Sequence, residues 1–169
     1  MNTIEAIRTR RSVRKYTDQK VSPEIIKELL AAAMSAPSAG NQQPWHFVVI
    51  DDHSILNEVP SFSPYAAMCK ESPVSILVCG DTHLEKHPGF WVQDCSAAVQ
   101  NLLLAVHDKG LGAVWTGVYP REERVEGFRT LLRLPKGVIP LAFIVIGYPA
   151  QIPAPQDRFQ EDRIHHNRW

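Results

Sequence analysis

The run from Trp91 to Val106 constrains the fold of this chain more than any other stretch. Trp91, Cys95, Ala98, Val99, Leu102, Leu103 and Val106 recur at helical spacing and form one apolar stripe. Ala97, Leu104 and Ala105 fall partly outside that stripe, so the helix is apolar over more than one side. It begins near Gly89 and ends at Gly110. Such a helix must be buried, in a large core or between subunits. With only 169 residues to build a core, the subunit interface is the expectation.

The remaining elements read as a mixture of helices and short strands within a single domain, residues 1–169. Thr3 to Thr9 reads as a first helix, with Ile4 and Ile7 on one face. Ser22 is a good N-cap and Pro23 suits the first helical position of a second helix. Ile25, Ile26, Leu29, Leu30 and Ala33 give that helix one apolar face, and it should end before Pro37. Strands are expected at His46–Asp51, Val74–Cys79, Ala113–Val118 and Pro140–Ile146, with Val74–Cys79 apolar enough to be central. Between the first two strands the chain is irregular, with short helical pieces around Ile55 and Tyr65–Lys70. Arg121–Leu131 reads as a charged, exposed helix. The last twenty residues hold Pro149, Pro153 and Pro155, then alternate charge and histidine up to Trp169. Such a tail cannot form a core and is expected to lie across another surface, that of a partner subunit.

Eighteen basic and eighteen acidic residues cancel, which argues against a nucleic-acid or membrane-surface role. Against that neutral background the N-terminus stands out. Arg8, Arg10, Arg11, Arg14 and Lys15 face one acid, Glu5, which is the pattern of a specific anion site. Cys69, Cys79 and Cys95 are widely spaced and contain no CxxC pair, so buried thiols are expected rather than a metal site. No signal-peptide apolar region opens the chain and no run approaches the ~20 apolar residues of a membrane helix, so a cytoplasmic protein is expected.

Two clusters carry the functional reading. Arg10-Arg11-Ser12-Val13-Arg14 packs three guanidinium groups and a hydroxyl into five residues, a set matched to phosphate oxygens. Pro37-Ser38-Ala39-Gly40-Asn41-Gln42-Gln43-Pro44-Trp45 is a loop of small and amide side chains that suits a polar heterocycle. Each has an ordinary alternative, a solvated helix end for the first and a common turn for the second. Together they describe a nucleotide-like cofactor. No GxxxxGK[ST] and no GxGxxG after a strand is present, so a Rossmann dinucleotide domain is disfavoured. His83 and His87 are four apart, but Pro88 makes a helical metal pair improbable. No nucleophile elbow is evident either, so the cofactor is expected to carry the chemistry.

RRSVRKY, APSAGNQQPWHFVV, WVQDCSAAVQNLLLAVHDKGLG, VWTG, and IGYPA followed by an arginine occur in an order that resembles the FMN-dependent nitroreductase family, especially its short members. The resemblance runs from the first helix to the tail. It implies an α+β fold: a three-layer α/β/α sandwich on a mostly antiparallel sheet of four to five strands, with a domain-swapped C-terminal tail. It also implies a homodimer with tightly bound FMN at the interface. NAD(P)H would be the electron donor, and nitroaromatics, quinones or related small molecules the acceptors in a ping-pong reaction. Carried over to this chain, Arg10 and Ser12 would bind the FMN phosphate, and Arg11 the ribityl chain and phosphate. Arg14 would approach the pyrimidine edge of the flavin. Pro37, Ser38, Ala39 and Asn41 would reach the flavin from the other subunit. Trp115, Thr116 and Gly117 would face N5, through N–H donors at Thr116 or Gly117, and Arg158 would join the phosphate.

The chain departs from the family pattern in places. Gln156 stands where a second basic residue often precedes the late arginine. Ser63 or Tyr65 stands in the region where many members place a flavin-contacting asparagine, and the chain is short in the segment that roofs the pocket. Phe62, Phe90 and Trp91 are candidates for a smaller roof or for packing. Two other readings stay open: a flavoprotein of this fold that fragments flavin or dehalogenates its substrate, and a non-enzymatic anion-binding interaction protein.

Overall fold

The four apolar runs pair into one antiparallel sheet. A computed structural model describes residues 1–169. Its elements are α1 (Thr3–Thr9), α2 (Pro23–Met34), β1 (Trp45–Ile50), α3 (His53–Glu58), β2 (Val74–Asp81), α4 (Trp91–Asp108), β3 (Gly112–Gly117), α5 (Glu122–Leu132) and β4 (Val138–Gly147). The strand order is β1-β2-β4-β3, so β2 and β4 are central and β1 and β3 are edges. Pro140 cannot donate to a ladder, and a register shift between Val78 and Cys79 falls opposite it.

Both faces of the sheet are covered, which makes the three layers of an α+β sandwich. On one face α2 and α4 pack over β2 and β4, with Leu29, Ala33, Val99, Leu102, Val78 and Ile144 in one cluster. On the other, α3, α5 and the 3-10 segment Pro64–Glu71 enclose Leu56, Cys69, Phe128 and Phe143. Ser22 caps α2 by accepting from Ile25 N–H at 3.3 Å, and Pro23 occupies the first turn.

Two expectations need correction. The main stripe of α4 is buried within this chain's own core, with Cys95, Ala98, Val99 and Leu102 fully enclosed. The sheet face absorbs it because α2 shields its flank. Only the second side, with Leu104 and Ala105, remains at a surface groove beside Ala6, Ala32 and Ser35. α5 is not simply exposed, since Val125, Phe128, Leu131 and Leu132 recur on one face and Phe128 is fully buried. In α1, Ile4 and Ile7 are exposed together, and Ala6 is the buried residue of the helix.

All three thiols are buried, and burial pushes Cys69 up to about 11 and Cys79 and Cys95 to about 12. After Ala150, whose N–H donates to Lys15 O at 2.9 Å, the tail is almost entirely exposed. No helix is long and apolar enough to cross a membrane.

Candidate functional site

Residues 10–17 leave α1 and run beside the outer edge of β3. Val13 N–H donates to Ala113 O at 2.9 Å, and Thr17 N–H to Tyr148 O at 2.9 Å. Val13 packs so closely that a Cβ at Gly112 would lie 2.7 Å from its own Cβ. The Tyr16 hydroxyl, 2.6 Å from the Val13 carbonyl and 3.1 Å from that of Val145, is buried, and its pKa is raised by that burial. The backbone that carries the arginines is therefore held at several points.

Arg10, Arg11 and Arg158 converge on a groove of about 810 Å³. Burial lowers the Arg10 pKa, with Arg158 and then Arg11 adding to the effect. None of Arg10, Arg11, Arg14 or Arg158 forms an ion pair. Asp157 lines the groove, but its carboxylate accepts from Phe159 N–H at 3.1 Å. With Arg8, four guanidinium groups line the groove beside a single carboxylate, Asp157, that pairs with none of them, and a phosphate dianion fits the excess positive charge. Arg11 also donates to Ala154 O, which ties the tail to this end. Ser12 is half-buried beside Ala113, and Arg14 is exposed two residues further on.

A second cavity shares Thr9, Arg10 and Arg11 with that groove and reaches Val13 and Ala113 at the start of β3. Ala113 turns its carbonyl outward to Val13, so by strand alternation Trp115 and Gly117 also turn their backbone groups outward. Thr116 faces β4, and its hydroxyl donates to Phe143 O at 2.7 Å. The outward N–H groups are thus those of Trp115 and Gly117, which narrows the expected pair of donors, Thr116 or Gly117, to Gly117. No atom lies within 4 Å of where a Cβ of Gly117 would stand.

The small-residue loop is built differently. Gly40, Asn41 and Gln43 have φ of 53°, 52° and 47°, a left-handed path that for Asn41 and Gln43 costs of order 1–3 kcal/mol each. The buried carboxylate of Asp94 accepts from Ala39 N–H at 2.9 Å and from Gln42 Nε2 at 2.6 Å. Gln42 Oε1 in turn accepts from Lys86 and His87 N–H at 2.8 and 3.0 Å. A Cβ at Gly40 would meet the His87 ring at 2.6 Å. Pro37 and Asn41 are exposed, and Ser38 and Ala39 are half-buried.

Within one chain these parts form two groups. The arginines sit near the last turns of α4, where Thr9 Oγ1 lies 2.8 Å from His107 Nε2. The loop hangs from Asp94 near the first turn. Thirteen residue steps along the helix take Asp94 to His107, about 20 Å at 1.5 Å per step. Pro37, Ser38, Ala39 and Asn41 line neither cavity around Arg10.

Sequence reasoning missed Asp94, Gln42 and Arg124. Asp94 lies three residues after Trp91 and four before Ala98, so its place on the apolar stripe was a usable signal of burial. Arg124 donates through Nη1 to Gly117 O at 2.7 Å, a contact with no local signature. Among the proposed roof residues, Trp91 packs on Gly80 and lies edge-on to Tyr119, and Phe62 lies edge-on to Phe128. Only Phe90 stays exposed. Ser63 Oγ is buried without a hydrogen-bond partner, whereas Tyr65 is exposed beneath Arg124.

The sequence profile of the nitroreductase family matches residues 7–72 and 64–148. A relative from Methanothermobacter thermautotrophicus, named as an NADH dehydrogenase/NAD(P)H nitroreductase, is 56% identical over 169 residues, covering 100% of this chain and 88% of the relative. A crystal structure from Parabacteroides distasonis bearing the same name is 46% identical, covers 100% of both chains and superposes with a TM-score of 0.95. A nitroreductase from Desulfovibrio desulfuricans, solved in complex with FMN, is 34% identical, with a TM-score of 0.86 over 100% of this chain and 99% of that one.

Proposed function

The chain belongs to the nitroreductase family, and from that premise we propose that it is an FMN-dependent oxidoreductase. NAD(P)H is its electron donor, and nitroaromatic, quinone or related small acceptors are its oxidants, taken in turn by a ping-pong mechanism. The observation that carries this reading is the meeting of Arg10, Arg11 and Arg158, none paired with an acid, on one groove beside an open strand edge. The FMN complex of the related Desulfovibrio protein supports the identity of the cofactor.

When bound, FMN supplies the two-electron chemistry. Arg10, Arg158 and Ser12 are assigned to its phosphate, and Arg11 to the phosphate and ribityl chain. Gly117 N–H, with Trp115 beside it on the open edge, is assigned to the ring. The bare α-carbon of Gly117 leaves room for close approach. Arg14 contributes fixed positive charge, which favours negative charge arriving at the ring's polar edge. Pro37, Ser38, Ala39 and Asn41 complete the pocket from a second chain. That assignment is supported by the length of α4 between the loop and the arginines. The enzyme is therefore proposed to be a homodimer in which each flavin touches both subunits. The outward side of α4 and the exposed tail are the surfaces offered to the partner. Three buried free thiols fit a reducing, cytoplasmic setting.

The test is a visible spectrum after reconstitution with FMN, followed by NADH and NADPH oxidation with a nitroaromatic and a quinone. A yellow protein that passes electrons to either acceptor supports the reading. Failure to take up FMN overturns it, and flavin breakdown products or halide release in place of acceptor reduction would redirect it to a specialised reaction.

A further inference from the structure

Arg124 belongs to none of the cofactor contacts assigned above, yet it is fixed at the same strand edge. We propose that Arg124 is a specificity-determining residue that binds a carboxylate on the electron acceptor, so that the enzyme prefers monoanionic aromatic acceptors to neutral ones. This rests on the reading that FMN lies along the β3 edge.

Two restraints orient the guanidinium. Nη1 donates to Gly117 O at 2.7 Å, and the guanidinium carbon stands 5.4 Å from the centroid of the Tyr65 ring. A side chain already ordered by its own protein gives up little freedom when a ligand arrives. Of five N–H donors, the Gly117 carbonyl takes one. The acids of α5 do not take the rest. Glu122, Glu123 and Glu126 lie one or two positions away along the helix and so do not face Arg124, and Glu126 meets Arg129 at 3.7 Å instead.

The surroundings favour an aromatic anion. Tyr65, the ring against which the guanidinium lies, is 75% exposed. One forked cation over an exposed ring matches a flat molecule carrying one carboxylate, while a phosphate dianion is better served by the arginines at the other end.

The experiment uses the FMN-loaded protein, with variants compared at equal bound flavin. Benzoate and benzamide, which share a shape and differ in charge, are titrated against the flavin absorbance. Wild type should bind benzoate about 10-fold or more tighter than benzamide, the scale of a charge-assisted hydrogen bond. Arg124→Met should erase that ratio and Arg124→Lys should keep part of it. Tyr65→Ala leaves the charge but removes its rest, and should reduce the ratio. With 4-nitrobenzoate and 4-nitrobenzamide as acceptors, Arg124→Met should raise KM about 10-fold for the acid relative to the amide. Equal affinities in wild type, or a loss that falls on NADPH rather than on the carboxylate, overturn the proposal while leaving the reductase reading intact. A wild type that takes up no FMN overturns both. Should Arg124→Met not fold, the Lys and Tyr65 variants decide by the same ratios.

Discussion

At the amino end of α4, Asp94 accepts from Ala39 and Gln42, and Gln42 accepts from Lys86 and His87. At the carboxyl end, Arg10, Arg11 and Arg158 gather with no acid paired to any of them. Both ends carry charge out of full solvent contact. The first circuit is closed by the chain's own donors, so it makes a rigid loop ready to serve as a wall. The second is open: its cations outnumber Asp157, the one acid beside them, and an anion from outside would relieve their repulsion. Preorganised shape at one end and unmet charge at the other is what a cofactor pocket shared by two copies requires.

The strongest way to break this contrast is to remove the cations. Arg10→Ala combined with Arg158→Ala should weaken FMN binding by about 100-fold or more, since each charged hydrogen bond contributes about 1.5–3 kcal/mol. The unliganded protein should keep its stability or gain some, because repulsion is removed. Flavin fluorescence titration reads the first effect and urea unfolding the second. Binding within threefold of wild type would show that the open end is not the phosphate site.

Asp94→Ala probes the closed end. It leaves the Gln42 amide and Ala39 N–H without their acceptor, and the fold should lose about 2–3 kcal/mol by urea unfolding, with or without flavin. Loss of FMN at full stability would instead make Asp94 a direct cofactor contact.

Between the ends, Cys95 on α4 and Cys79 on β2 titrate only at high pH. Burial raises Cys79 from 9.0 to about 12 and, with Asp94 adding to it, Cys95 by a similar amount. The folded state thus holds these protons more tightly than the unfolded chain. Their contribution to stability is complete below about pH 9 and is lost as pH rises toward 12. Urea midpoints should already be lower at pH 9.5 than at pH 8 and lower again at pH 11, and Cys79→Ala should flatten part of that fall.

The smallest structural effect is expected at Gly117→Ala. With no atom near the added methyl, stability should change by less than about 0.5 kcal/mol. The flavin spectrum and affinity should nevertheless shift, because the methyl would enter the space assigned to the ring. A silent variant would move the ring away from this edge.

Much of the fold is legible in local pattern. The α4 stripe, the Ser22-Pro23 start of α2 and the four strand runs need only periodicity and capping to be read, and each lies within a few residues of its expected bounds. The clusters around Arg10 and Asn41 stand out by composition. What pattern could not provide is which surfaces meet. α4 alone does not reveal that α2 and the sheet consume its stripe, and nothing near Arg124 in sequence points to Gly117. Asp94 was the readable exception, an acid set on an apolar face. Nor does one sequence show that the loop and the arginines are held about a helix length apart.

Native mass spectrometry of the FMN-reconstituted protein tests the central claim most directly, because it weighs subunits and cofactor together. The shared-pocket account predicts two chains with two FMN, and flavin lost whenever the dimer dissociates. A monomer that retains FMN, or a dimer that takes up none, would contradict it.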